Sequence, residues 1–302
     1  MNKKTLVVFL NWKSEDTIVS AIKNILLLKN KYIFIIVIDN EKNSHCKEKL
    51  LTNFGSSVVY KFSGGNIGYA AGNNIGIKYG LKNGFDYICV MNSDVTFDNK
   101  YILKAISDLS SNSSIDCVSG LMMHTDSSLE SAGGSFDFNS WTELFPQIHN
   151  FPEGSLYEVD IVNGTFFMAK SLVFKKQLIP EDYFMYYEDL DWSYSVKKLG
   201  FQIWIDPNIK IYHEGGKSSQ GSIFKDILQS RNYLYFIQKL RKNGVKIRPT
   251  IYFFKYVMYP FRNLFGALKA NSGVPLEYRM KVFRGSFIGL YLFLRKHKGN
   301  IV

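Results

Sequence analysis

A chain of 302 residues with 46% hydrophobic content can close a full core, as one large domain or two small ones. Its best apolar run, Phe287 to Leu294, is eight residues long, far short of the ~20 needed to span a membrane as a helix. The 3 cysteines are scattered, which excludes a disulfide or zinc framework and predicts reduced thiols in a cytosolic protein, and the net charge is +11.

Lys3-Lys4 precede a short apolar stretch, Leu6 to Leu10, which Asn11-Trp12-Lys13 interrupts. That is too brief for a signal peptide and reads as a buried first strand over 5–10. Residues 15–28 carry Ile18, Ile22, Ile25 and Leu26 at helical spacing. Strand patterns recur over 33–38, 58–62 and 87–91, the last two separated by a glycine-rich turn over 64–68 and a helix through Ile75 to Leu81. Strands alternating with helices predict a parallel, doubly wound α/β sheet, where ligands bind beyond the carboxyl ends of the strands. Asn11, Asp39, Asn66 and Asp94 all lie at or just past such ends. From Ser131 to Tyr212 the pattern turns mixed, and Asp206-Pro207 is expected to break the chain between two short strands. Residues 223–243 read as a helix stopped by Gly244, and 251–269 and 276–298 as two further helices.

Tyr187-Glu188-Asp189-Leu190-Asp191-Trp192 crowds three carboxylates into four positions at a predicted helix start. Such crowding is costly unless a cation, a proton or a substrate hydroxyl shares it. The helix dipole alone accounts for one or two acids in a first turn. Phe184, Tyr186, Tyr187 and Trp192 alongside suit the faces of a sugar. Asp94, after the apolar run 88–91, can hold a divalent cation against a diphosphate; the plain alternative is a turn or capping Asp. The glycines of 64–72 permit close backbone approach to a ligand, but the stretch lacks the P-loop Lys and the dinucleotide fingerprint, so a tight turn is an equal reading. Asp39 can accept from a nucleobase N–H or simply end a strand. His213, before Gly215-Gly216, can meet a metal or a leaving phosphate, or be structural. Arg231 can clamp a phosphate or be a solvated helix charge.

Six motifs follow in order: Val37-Ile38-Asp39-Asn40, Gly65-Asn66-x-Gly68-Tyr69, Asn92-Ser93-Asp94, Asn163-Gly164-Thr165, Tyr187 to Trp192, and His213-x-Gly215-Gly216. Each is weak alone. Together they resemble the family-2 glycosyltransferases over residues 4–240, and most of all the bacterial rhamnosyltransferase-like branch. The resemblance implies a GT-A fold, the Rossmann-like architecture of nucleotide-diphospho-sugar transferases, over 1–240, with 241–302 a basic, aromatic helical extension. It implies inverting transfer of a sugar from a nucleoside diphosphate to a glycan or polyprenyl-diphosphate-linked acceptor in cell-surface polysaccharide synthesis. L-Rhamnose from dTDP-rhamnose is the first choice of donor, with UDP-galactofuranose, UDP-glucose and UDP-galactose as alternatives. Carried over by position, Asp189 is the catalytic base, and Asp39, Asn66 and Asp94 bind the donor; Asn11, Gly68, Asn92 and Arg231 join them as donor-binding candidates from their own places in the sequence. Glu188, Asp191 and Trp192 bind the acceptor, and Asp94 with His213 holds a divalent metal, Mn2+ or Mg2+. Two positions depart from the pattern. Asn92 leaves Asp94 as the only carboxylate of its motif, and Ser195 stands where an Arg usually follows Asp191, leaving that contact to Lys197 or Lys198 or to nothing.

From Gly216 onward 17 Lys and Arg face two acids, whereas the residues before carry 20 basic and 24 acidic side chains. Tyr252, Phe253, Phe254, Tyr256, Phe261, Phe265, Phe283, Phe287, Tyr291 and Phe293 share that basic region. Basic helices with aromatics suit an anionic membrane surface, which predicts a peripheral protein on the inner face of the cytoplasmic membrane. The alternative is that the aromatics pack on the catalytic domain or on a second subunit of a homo-oligomer. Nucleic acid is not expected as a partner, because the positive charge is confined to the tail. A nucleotidyltransferase would want a glycine-rich basic loop after the first strand, where Asn11-Trp12-Lys13-Ser14-Glu15 stands. The non-enzymatic alternative is a degenerate, membrane-associated binding module.

Overall fold

The computed structural model describes residues 3–42, 44–139, 144–213, 223–247 and 276–297; the helix expected over 251–269 and Gly215-Gly216 lie outside them. Two compact units emerge. The first takes in the chain up to Ser135, Gln147–Phe184 and the stretch from Glu188 to 215; the second takes in Phe136–Pro146, Met185–Tyr187 and the described residues beyond 216.

The first unit begins with β1 (Thr5–Asn11), α1 (Glu15–Leu26), β2 (Ile33–Asp39), α2 (Cys46–Phe54), β3 (Val58–Phe62), α3 (Tyr69–Lys82) and β4 (Tyr87–Met91). There follow β5 (Val95–Thr96), α4 (Lys100–Ser111), β6 (Cys117–His124) and β7 (Leu129–Ser131). It ends with β8 (Tyr157–Val159), β9 (Phe166–Lys170), α5 (Ser171–Lys176), α6 (Glu188–Lys198) and β10 (Ile203–His213). The strand order is β3-β2-β1-β4-β9-β6-β10-β5, with β7 on β6 and β8 on β10. The first four strands in this order run parallel, as the alternating pattern predicts. β9 enters antiparallel between β4 and β6, which makes the second half mixed.

β1 is buried on both faces, and its alternating side chains feed two cores. Val7 and Phe9 join Ile18, Ile22 and Ile25 of α1 and Ile102 of α4. Leu6 and Val8 join Ala70 and Ile77 of α3 and Trp192 and Val196 of α6. A stripe of Gly72, Gly76 and Gly80 lets α3 lie against the sheet: a methyl group at Gly72 would run into Leu10, one at Gly76 into Val8, and one at Gly80 would sit 2.9 Å from Ile88 Cδ1. The three cysteines are free and buried.

One expectation is corrected. β10 continues through Asp206-Pro207 as a single strand, and the irregularity is absorbed as a bulge in which the register on β6 jumps from Asp206–Gly120 to Lys210–Leu121. Buried Asp206 stitches the bulge by accepting from Asn208 N at 2.9 Å and Asn208 Nδ2 at 2.8 Å, and it pairs with Lys104 of α4. Pro207 therefore occupies a place where no ladder donor is required.

The second unit holds α7 (Ile223–Lys242) and α8 (Leu276–Leu294). The expected division at residue 240 falls inside α7. Gly285 and Gly289 bring the two helices together: a methyl group at Gly289 would lie 2.6 Å from the Ile227 carbonyl oxygen. Tyr235 Oη donates to the His297 carbonyl at 2.8 Å. Phe136, Phe145, Tyr187 and Phe236 form an aromatic cluster in the same unit. Among the described residues no helix is long and apolar enough to cross a membrane.

Candidate active site

The carboxyl ends of β1 and β2 lie in register, Asn11 opposite Asp39. Asn11 Nδ2 donates to Asp39 Oδ1 at 2.8 Å, and Glu41 N donates to the same oxygen at 3.1 Å. Asp39 Oδ2 accepts from Tyr60 Oη at 3.0 Å and from Ser44 Oγ. Asp39 is thus a buried carboxylate with both oxygens engaged by the chain's own donors. A nucleobase N–H would have to share one of those oxygens.

The glycine-rich turn is clamped to protein. Asn66 Oδ1 accepts from Gly68 N at 3.2 Å, Asn40 Nδ2 donates to Gly68 O at 3.0 Å, and Tyr69 N donates to Phe184 O at 2.7 Å. Gly68 takes φ +90°, and a side chain there would run into the Phe184 carbonyl, so packing on Phe184 demands a glycine here. Phe184, Tyr186 and Tyr187 themselves have φ of +67°, +70° and +77°. Non-glycine residues in the left-handed region cost about 1–3 kcal/mol each and cluster at functional sites.

α6 opens directly after this stretch, and its three acids have different surroundings. Asp189 is partly exposed; its Oδ2 accepts from Gly164 N at 3.2 Å and its Oδ1 from Leu190 N at 2.9 Å. Burial raises its pKa, and the amide donors hold it back. Glu188 is buried, and its Oε2 has no hydrogen-bond partner among the described residues. Burial, then the neighbouring charge of Asp189, drives Glu188 well above the carboxylate range. Of the pair, Glu188 holds a proton more tightly than Asp189, whose charge the amides of Gly164 and Leu190 stabilise. Asp191 is spent internally, accepting from Tyr183 Oη at 2.8 Å and Ser195 Oγ at 3.1 Å. Ser195 thus supplies Asp191 with a donor from within the helix.

Trp192 does not offer a face to a sugar, which corrects that expectation. It is 1% exposed, its ring lies 4.8 Å from Phe167 and 5.6 Å from Phe174, and its Nε1 donates to Gln177 O at 3.0 Å. Tyr69 closes the second of the six motifs, and its sequence position alone assigns it no role. Its hydroxyl donates to the Gly164 carbonyl. Burial raises its pKa first, and the neighbouring acids Glu188, Asp189 and Asp94 add to the rise, so one phenol stands near all three.

Asn92 N donates to Thr165 O at 2.8 Å, tying the end of β4 to the Asn163-Gly164-Thr165 turn. Asp94 Oδ2 lies 3.4 Å from His213 Nε2, and His213 Nδ1 lies 3.2 Å from Glu130 Oε2. Burial opposes an imidazolium here, but hydrogen bonds to the two carboxylates outweigh it and raise His213 to about 9. Glu130 belongs to no motif, and only the folded sheet reveals it. Among the described residues no three His, Cys, Asp or Glu side chains gather as a metal site.

Arg231 lies on α7 in the second unit, fully buried, and its Nε donates to Asn232 Oδ1 at 2.9 Å. Burial lowers its pKa. It is therefore not a solvated helix charge. Asn232 Nδ2 in turn donates to the carbonyls of Met185 at 2.7 Å and Tyr186 at 2.8 Å, holding the left-handed stretch.

The sequence profile of the Glycosyl transferase family 2 matches residues 6–173. A low-salt glycan biosynthesis hexosyltransferase of Haloferax volcanii is 26% identical over 206 residues, 65% of this chain and 62% of that protein's length. The dTDP-rhamnosyl transferase RfbF of Shigella flexneri is 28% identical over 223 residues, 72% of each chain. Among solved structures, a mannosyltransferase from Pyrobaculum calidifontis in complex with GDP-Man and Mn2+ superposes with TM-score 0.59 at 10% identity, covering 97% of this chain and 88% of that one. A mycobacterial protein superposes at 0.54 with 12% identity, over 81% and 76% of the two chains. The curled α/β sheet is the GT-A fold, and with more than half of its length inside the family profile the chain belongs to the glycosyl transferase family 2.

Proposed function

We propose that this chain transfers a sugar from a nucleoside diphosphate to a glycan or polyprenyl-diphosphate-linked acceptor, with inversion, using Asp189 as general base. The observation that carries this reading is Asp189: a partly exposed carboxylate aimed by two amides, with its pKa raised by burial. Inversion needs one carboxylate to take the proton of the attacking hydroxyl, opposite the leaving diphosphate. A base with a raised pKa takes that proton more readily near neutral pH. Glu188, kept neutral, adds no second negative charge and can bond a sugar hydroxyl. Asp191 acts only by fixing the start of α6.

Asp94 and His213 fit a divalent cation, since a carboxylate and an imidazole 3.4 Å apart form an O/N donor pair of the kind Mn2+ accepts. Bound there, the cation would neutralise charge on the leaving diphosphate. A small protein donor set suits this role, because nucleotide oxygens can complete the shell. The likeness to the Shigella rhamnosyl transferase supports dTDP-rhamnose as donor.

In this reading residues 1–240 are catalytic and 241–302 carry the chain to an anionic membrane on the cytoplasmic face. α8 supports it: Met280, Phe287, Ile288, Tyr291 and Leu294 are exposed, as are the basic Lys281, Arg284 and Arg295. A thermal-shift panel of nucleoside diphosphates and their sugars, with and without Mn2+ or Mg2+, tests the core reading. A metal-dependent rise with one nucleotide family is the expected result. No shift with any nucleotide, in folded protein, would instead point to a degenerate binding module.

A further inference from the structure

We propose that Glu130 is a positioning residue for this cation site: from β7 it holds the His213 imidazole with Nδ1 protonated, so that Nε2 presents its lone pair beside Asp94. The inference rests on the cation reading above. Its first support is the sheet itself. β7 pairs with β6 through Ser131 opposite Met122 and Leu129 opposite Met123, which leaves Glu130 as the extra residue of a β-bulge. Bulges beside active sites re-aim a side chain.

The second support is where that side chain goes. β10 occupies one edge of β6 from Leu121 to His124, so β7 occupies the other, and Glu130 reaches across β6 to His213 at the end of β10. On the far side, His213 stands opposite Val95 of β5, with Asp94 next to it in the chain. One imidazole is thus flanked by two carboxylates from opposite directions, Glu130 Oε2 at 3.2 Å from Nδ1 and Asp94 Oδ2 at 3.4 Å from Nε2. The imidazole is the most shielded of the three, at 12% exposure against 25% for Glu130 and 40% for Asp94.

The chemistry then selects a tautomer. A neutral imidazole has one N–H, and a metal-ligating nitrogen must be without it. For Nε2 to serve a cation beside Asp94, the cation must displace the Nε2 proton to solvent, and the proton that stays must sit on Nδ1, where Glu130 accepts it. A carboxylate in this place also makes the ligating nitrogen more basic, and losing such a partner typically weakens metal binding about 10–100-fold.

The test titrates Mn2+ into the full-length chain with UDP, and separately dTDP, present, reading free Mn2+ by electron paramagnetic resonance. Glu130→Ala should weaken Mn2+ binding about 10–100-fold, and Glu130→Gln less, because its amide oxygen still accepts from Nδ1–H. A second readout is the 15N signature of His213 in the diamagnetic Mg2+ form. It should show the Nδ1–H tautomer in wild type and Glu130→Gln, and in Glu130→Ala only at the higher Mg2+ concentration that its weaker binding demands. If Glu130→Ala does not fold, Glu130→Met, which keeps the volume and removes the acceptor, takes its place. Unchanged affinity and tautomer in these variants, with His213→Ala weakened, would overturn the role of Glu130 and leave the cation reading intact. Wild-type Mn2+ binding by both His213→Ala and Asp94→Ala would sink the cation reading, and the inference with it.

Discussion

The backbone of Gly164 links Tyr69 and Asp189: its N–H donates to Asp189 Oδ2 at 3.2 Å, and its carbonyl accepts from the Tyr69 hydroxyl. The proposed base is therefore aimed by backbone that α3 itself anchors. Aim set by backbone survives a change of side-chain chemistry, which makes a clean substitution possible.

Asp189→Asn keeps an acceptor for that amide and removes the base. Transfer is expected to fall about 10²–10⁴-fold, while the donor-induced melting shift is retained. Near-normal turnover, measured by product formation, would remove Asp189 from the role.

Glu188 gives a pH prediction whose sign follows from its raised pKa. The folded state binds this proton more tightly than the unfolded chain, whose ordinary value is 4.5. Below that value both states are protonated and no difference arises. As pH rises toward and through the folded value, stability is lost. Glu188→Gln, which mimics the neutral acid, is expected to raise the melting temperature at neutral pH and to match wild type under acid conditions. A variant less stable than wild type at every pH contradicts this.

Asp94→Ala is expected to weaken Mn2+-dependent donor binding at least about 10-fold, in the range of losing one supporting group at a metal site. Calorimetry with and without Mn2+ checks it. Equal metal dependence in the two proteins counts against Asp94 as a ligand.

The tight seat of α3 gives a stability test away from the chemistry. Gly76→Ala gains helix propensity, roughly 1 kcal/mol, but its methyl runs into Val8 in a buried strand. Overpacking of this kind costs about 1–3 kcal/mol, so a neutral to moderately destabilised protein is expected by urea unfolding. A clear gain in stability would show that α3 is free to move outward.

For the membrane proposal, Ile288→Glu, Tyr291→Glu and Leu294→Glu together in the full chain should reduce co-sedimentation with anionic vesicles. These side chains are exposed on α8, so the fold should hold, as the melting temperature would verify. Unchanged sedimentation removes α8 as the contact.

The doubly wound half of the fold was legible because β1, β2 and β4 are apolar runs that end in a polar residue (Asn11, Asp39) or are followed at once by one (Asn92), a local pattern that burial on both faces enforces. The strand ends then located Asn11, Asp39 and Asp94. Trp192 misled because its neighbours in sequence are acids, yet Val196 four residues on is equally buried, and that i, i+4 apolar pair was the available sign of a core face. Ser195 looked like a missing contact, whereas the fold uses it to satisfy Asp191. Glu130 had no local sign at all, since its meaning arises only when β6, β7 and β10 lie side by side.

The bulge in β10 carries a consequence for how this chain can vary. Between Asp206 and Lys210 the strand gains three residues over its partner, an odd number, and in a pleated strand each residue reverses the facing of every one after it. Which side of the sheet receives His213 is thus decided by the count of residues in the bulge rather than by their identity. Substitutions at Asn208 should be absorbed there far more readily than a one-residue deletion, which would turn His213 away from Asp94 and Glu130 while leaving every proposed ligand in the sequence.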